Sequence, residues 1–203
     1  MKEIILKKAG EIFSKYGFKS VTMDDIANDM GISKKTIYKY YKNKVELVDN
    51  TVCYFHDEMH KTITNICAFG YNAIQENFEI KRMFKEMFKN SDNSPIYQLE
   101  KYYPKTYKKI IEDDFSIFKE CNTSNLEKGI QEGLYRKDIN KELATKFYFS
   151  LMMSVHDSKL YTYNKNTMNK LELCALEYHT RAIATEKGLQ ILEEQLEKNV
   201  INE

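Results

Sequence analysis

Between Lys34 and Lys44 the chain sets five lysines (Lys34, Lys35, Lys39, Lys42, Lys44) and three tyrosines (Tyr38, Tyr40, Tyr41) with no acid among them. Ammonium and phenol groups at this density suit a row of phosphate oxygens, although a solvated helix face has the same composition. A second cluster lies further on. His56 and His60 stand four residues apart and Cys53 three residues before His56, so a helix would put three metal-ligating side chains on one face. The run His56-Asp-Glu-Met-His60 is not the zinc-protease motif, which needs Glu directly after the first His; here Asp57 holds that place and Glu58 follows. No fourth ligand is evident, and no Gly-rich phosphate loop or nucleophile elbow appears, so an enzyme is the poorer reading.

The elements around the basic cluster follow from local pattern. Ile5, Ala9, Ile12, Phe13 and Tyr16 form one stripe of a first helix, stopped at Gly17, with Gly10 costing roughly 1 kcal/mol relative to Ala. Thr22, three residues before Asp25, caps a short second helix whose Ile26, Ala27 and Met30 point inward and which ends at Gly31. Ser33 then caps a third helix, Lys34 to Tyr41, with Ile37 and Tyr41 on its inner face. Small Ala27, permissive Gly31 and the plug Ile37 together spell helix, tight turn, helix. Lys34, Lys35, Lys39, Tyr38 and Tyr40 project from the opposite side.

Composition agrees with a helical chain. Of 203 residues only 2 are Pro and 7 Gly, too few turn formers for a many-stranded β fold, and the expected class is all-α. The chain carries 31 basic against 30 acidic residues, which excludes a uniformly basic coat or an acidic tail. Residues 1–47 hold ten lysines against six acids and the remainder is net negative, so the positive field sits at one end. Four scattered cysteines (Cys53, Cys67, Cys121, Cys174), no signal segment and no long uncharged apolar run lead us to expect a reduced, cytoplasmic protein with no membrane span.

The run from Ile5 to Leu47 resembles the DNA-binding domain of TetR-family transcriptional regulators. The resemblance rests on Ala9 and Phe13, Thr22-Met-Asp-Asp-Ile26-Ala27, Gly31-Ile32-Ser33, Thr36-Ile37-Tyr38-Lys39-Tyr40-Tyr41 and Asn43-Lys44-Val-Glu-Leu47, about a quarter of the chain. Tyr41 replaces the family's usual Phe, and Val45 its usual Glu. The resemblance implies a three-helix DNA-binding domain over 1–47 and a helical ligand-binding and dimerisation domain over 48–203. It also implies a homodimer on a palindromic double-stranded operator, most often a repressor, released by a small-molecule effector, with no resident cofactor or metal. Thr22 and Lys44 fall at phosphate-contact positions, Ser33, Lys34, Thr36 and Tyr38 would hold register on the backbone, and Lys35, Lys39 and Tyr40 would reach base edges.

For the rest of the chain, a helix from Val45 through Cys53 and His56 toward Ile66 takes the place of the family's linker, and Pro95 and Pro104 read as helix openers. Phe84, Met87, Phe88, Tyr103, Tyr107, Phe118, Phe147 and Met152 are candidate walls of an effector pocket, with Asp114, and His156 beyond them, able to orient a polar group; each also suits plain core. Leu151, Val155, Leu171, Cys174, Ala175, Tyr178 and Ala182 lie on two late stripes where the family builds its dimer interface, or else serve as intramolecular core. Leu189, Leu192, Leu196 and Val200 imply one more helix. The rival function is a metal- or thiol-responsive regulator on the same scaffold, through Cys53, His56 and His60 or through Cys67.

Overall fold

The computed structural model describes residues 1–87, 89, 95–156, 160–161 and 165–200. Among them run ten α-helices: α1 (Lys2–Tyr16), α2 (Met23–Asp29), α3 (Lys34–Tyr38), α4 (Lys44–Ala68), α5 (Ala73–Met87), α6 (Pro95–Tyr102), α7 (Pro104–Gln131), α8 (Lys141–Val155), α9 (Lys165–Ile183) and α10 (Glu186–Val200). The described residues form no strand, only one antiparallel bridge between Tyr135 and Ala184. Pro95 and Pro104 open α6 and α7, where a missing amide proton breaks no helical hydrogen bond. The chain divides into two compact units, residues 1–62 with 88–112, and residues 63–87 with 113–203.

The first unit is built on α1. Ile5, Leu6, Ala9, Ile12 and Phe13 are buried with Ile26 and Ala27 of α2, Ile37 of α3, Leu47 and Val48 of α4, and Leu99 of α6. Side chains of this kind contribute roughly 1.5–3 kcal/mol each when fully buried. Tyr16, expected in the stripe, is instead 56% exposed, with the Lys15 ammonium 5.0 Å from its ring centroid. Leu6 fills the apolar face instead, and the phenol tip of Tyr16 favours water. Gly10 now has a reason: a Cβ there would lie 1.9 Å from the Phe55 ring, so the missing side chain lets α4 lay that ring against α1.

The second unit has an apolar core of Ala73, Ile74 and Phe78 on α5, Leu126 on α7, Leu134 and Tyr135 just after α7, Leu176 and Ile183 on α9, and Leu192 on α10. Inside it runs a polar network. Asn125, 3% exposed, donates through Nδ2 to the Ala73 carbonyl and to Glu76 Oε1, both at 2.8 Å. Its Oδ1 accepts from Asn77 at 3.0 Å and from the Tyr135 hydroxyl at 3.2 Å, while Lys128 Nζ pairs with Glu76 Oε2 at 2.7 Å. A smaller cluster, Val155, Met168 and Ala175 with Leu151, Met152 and Leu171 against it, seals α8 to α9.

His179 on α9 stacks flat on Tyr148, ring centroids 4.1 Å apart, and burial pulls its imidazole down to about 4. The unfolded chain therefore takes up a proton near pH 6.5 that the native state refuses until near pH 4, and stability falls as pH drops through that window. A shift of this size corresponds to about 3 kcal/mol at most. We expect His179→Phe, which keeps a ring on Tyr148, to flatten the difference in urea midpoint between pH 6.5 and pH 4.5. An unchanged slope would place the pH response elsewhere.

Candidate nucleic-acid interface

Three hydrogen-bonded caps shape the basic cluster. At α2 the Thr22 hydroxyl accepts from Asp25 N at 3.2 Å while Thr22 N donates back to Asp25 Oδ2 at 2.7 Å, a complete capping box. The Thr22 hydroxyl also donates to that carboxylate, and these bonds hold Asp25 below its ordinary range. Gly31 takes φ +64° at the turn and Ile32 N donates to the Ala27 carbonyl at 3.0 Å, which swings the chain into α3. Ser33 then accepts from Thr36 N at 3.1 Å, and the two hydroxyls lie 2.8 Å apart. One hydroxyl proton of that pair is left over to donate to an incoming oxygen.

The α-helical span of α3 is shorter than the sequence suggests. It ends at Tyr38 rather than Tyr41, because Tyr40 N turns to the Ile37 carbonyl at 2.9 Å and tightens the last turn. Ile37 and Tyr41 are nonetheless buried together, and the Tyr41 hydroxyl donates to the Lys2 carbonyl at 3.2 Å. Desolvation pushes that phenol up to about 12, so it stays a neutral donor. On the other side Lys35, Tyr38, Lys39 and Tyr40 are all exposed. This arrangement offers two ammonium groups and two phenols to a groove of DNA, backed by a rigid apolar plug.

The other predicted contacts are already engaged within the chain. Lys34 pairs with Asp24, which raises its ammonium and ties α3 to α2. Lys44 donates to the Lys19 carbonyl at 3.1 Å, and partial burial lowers its ammonium. Sequence reading missed Asp24 and Lys19, whose partners lie 10 and 25 residues away. It also did not read the capping role of Asn43, whose Oδ1 accepts from Glu46 N at 2.9 Å while Glu46 accepts from Lys42 N, one residue before the cap, at 2.7 Å.

The family model for bacterial regulatory proteins of the tetR family matches residues 5–51, the stretch that carries these caps. The chain is 25% identical to the HTH-type transcriptional repressor KstR2 of Rhodococcus jostii, over 70% of this chain and 72% of that one. It is 26% identical to the biofilm operon regulator IcaR of Staphylococcus aureus, over 73% and 69% of the two chains. Its fold matches a transcriptional regulator from Cytophaga hutchinsonii with a TM-score of 0.74 at 19% identity, covering 90% of this chain and 98% of the other. Residues 5–51 thus match the tetR family, and over most of its length the chain is similar to transcriptional regulators. Its named relatives are transcriptional regulators and repressors.

The TetR-family architecture, an N-terminal helix-turn-helix followed by a helical body, gives the remaining predicted residues their places. Of the pocket candidates, Tyr103 and Tyr107 pack on the core of the first unit. Phe84, Met87, Phe118, Phe147 and Met152 belong to the second. There Phe118 meets Tyr148 at 5.5 Å and Phe149 at 5.2 Å, and Phe149 meets Phe115 at 4.9 Å, an aromatic cluster that continues through Tyr148 to His179. Met152 joins the Val155 cluster, Phe84 and Met87 are half-buried, and Phe147 stands 68% exposed. Phe88 and the side chain of Asp114 lie outside the described residues. His156 Nε2 is 3.4 Å from the Glu172 carboxylate.

Of the late-stripe residues, Val155 and Ala175 are buried within the chain, and Leu151 and Leu171 pack against them. Cys174 is half-buried, whereas Tyr178 (66%) and Ala182 are exposed. The three-ligand metal face does not form. The Cys53 thiol is approached by Lys109 Nζ at 3.8 Å, and among the described residues no group of three His, Cys, Asp or Glu is placed to hold a metal. Among those residues, too, no helix is long and apolar enough to cross a membrane.

Proposed function

We propose that this regulator binds a palindromic operator as a homodimer, acts as a repressor, and releases DNA when a small molecule enters its C-terminal part. In this reading residues 1–47 read DNA and residues 48–203 bind effector and partner. Thr22 and Lys44 contact phosphates, Ser33, Lys34, Thr36 and Tyr38 hold register, and Lys35, Lys39 and Tyr40 reach base edges. The observation that carries it is the two-faced α3 segment, with Ile37 and Tyr41 buried and Lys35, Tyr38, Lys39 and Tyr40 exposed.

The exposed α8–α9 face, with Leu143, Phe147 and Tyr178, supports the dimer, since large rings of this kind seek cover from water. The aromatic cluster around Phe118 and Tyr148 supports an apolar or aromatic effector. Coupling between the two sites is reciprocal, so operator lowers effector affinity by the factor that effector lowers operator affinity. A thiol-responsive reading is weaker, because burial pushes the Cys67 thiol up to about 11 and raises that of Cys121 as well.

The test is binding of the purified chain to the DNA upstream of its own gene, titrated with salt. Lys39→Ala is expected to weaken specific binding roughly 5- to 150-fold per half-site at an unchanged salt slope, as a base contact does. Lys44→Ala, at a phosphate, lowers the slope of log K against log salt by about 0.9 per half-site, about 1.8 for the dimer on its operator. Sequence-indifferent binding, untouched by Lys39→Ala, would overturn the assignment.

A further inference from the structure

The two histidines of α4 face each other at hydrogen-bond distance. His56 Nε2 and His60 Nε2 are 3.1 Å apart and the ring centroids 4.2 Å, on successive turns of one helix. Both residues are half-buried, and the helix fixes their spacing. Two imidazole nitrogens held about 2.0–2.1 Å from one cation are separated by about 2.9 Å in an octahedral and about 3.3 Å in a tetrahedral shell. The observed separation falls between these values, so a cation can sit across both nitrogens with only a small adjustment of the rings.

We propose that His56 and His60 form a two-histidine chelate for a late first-row divalent cation such as Zn²⁺, Ni²⁺ or Cu²⁺. Imidazole donors select this class over Mg²⁺ and Ca²⁺, which take oxygen ligands. In the empty pair one ring donates an Nε2 proton to the other; on metal binding that proton moves to Nδ1 of the same ring, and both Nε2 lone pairs turn to the cation with no change in net protonation. The pair supplies two of the cation's positions. His60 lies two residues before the end of the first compact unit at residue 62, so the metal clips one turn of α4 shortly before the chain passes into the second unit.

Calorimetric titration of the full chain with Zn²⁺ tests the site without reference to DNA, so its failure and that of the operator reading are separable. One equivalent is expected to bind, with Cu²⁺ tighter and Mg²⁺ inert. His56→Ala and His60→Ala each leave a single donor and weaken uptake by at least roughly tenfold, since the second ligand no longer acts at high effective concentration. His156→Ala, remote in sequence and already beside Glu172, retains full uptake. Circular dichroism checks that the variants stay folded, and His56→Gln serves where alanine lowers helicity. Absence of uptake by the wild-type chain, or equal uptake by folded His56 and His60 variants, would overturn the proposal.

Discussion

A chain carrying Phe147→Glu together with Tyr178→Glu is expected to sediment as a monomer and to bind operator about 100- to 10,000-fold more weakly than wild type. Phe147 and Tyr178 are 68% and 66% exposed on α8 and α9, and Leu143, one turn before Phe147, is 46% exposed. A single chain leaves these side chains in water while burying Val155 and Ala175 between the same two helices. The inner faces of α8 and α9 thus hold the fold, and the outer faces are open to a second copy. Carboxylates at these two exposed positions would be stripped of water against an apolar partner, and several kcal/mol of desolvation per charge outweighs what the remaining contacts return. The loss on DNA then follows from two half-sites no longer being engaged by one linked particle. Because both positions are exposed, the monomer should keep its helical content and melting behaviour at low concentration. An intact dimer of the double variant in analytical ultracentrifugation would move the interface to another face.

The largest expected effect on stability comes from Asn125→Leu, a change that keeps the branching and heavy-atom count of the side chain. Asn125 serves the Ala73 carbonyl, Glu76 Oε1, Asn77 Nδ2 and the Tyr135 hydroxyl at 2.8–3.2 Å, in a site where it and Glu76 are each only 3% exposed. Leucine fills the space and removes all four bonds at once. Each buried group left without a partner costs about 1–3 kcal/mol, and rearrangement or water relieves part of the total, so a loss of about 3–5 kcal/mol is expected. That is a large share of a normal folding free energy. Urea denaturation followed by circular dichroism measures it, and a loss under about 1 kcal/mol would mean that the network is not a structural keystone. Tyr135 should report the same event, since burial holds its phenol neutral well above the ordinary range.

The helix-turn-helix was legible because its determinants act over three or four residues. Thr22 with Asp25, Gly31 at positive φ, and Ser33 with Thr36 each close a hydrogen bond or a turn within the span that a reader of sequence can see. Periodicity likewise located α1, α8, α9 and α10, and the two prolines opened α6 and α7. The same periodicity misplaced Tyr16, because a stripe names a face without saying where along it the neighbours end. Cys53 had the right spacing for a ligand, yet its thiol is turned toward Lys109, 56 residues on.

What the amino-acid order determined by itself is therefore the class of the fold and the scaffold that reads DNA: caps, turn and apolar plug are short-range interactions, and their chemistry is written in adjacent residues. Tertiary structure alone decided which apolar residues of α8 and α9 are core and which are surface, and it alone assembled Glu76, Asn125 and Lys128, separated by about 50 positions. The reason is physical. A helix repeats its faces every 3.6 residues regardless of what lies opposite, so burial and pairing across helices depend on the packed chain rather than on any local run.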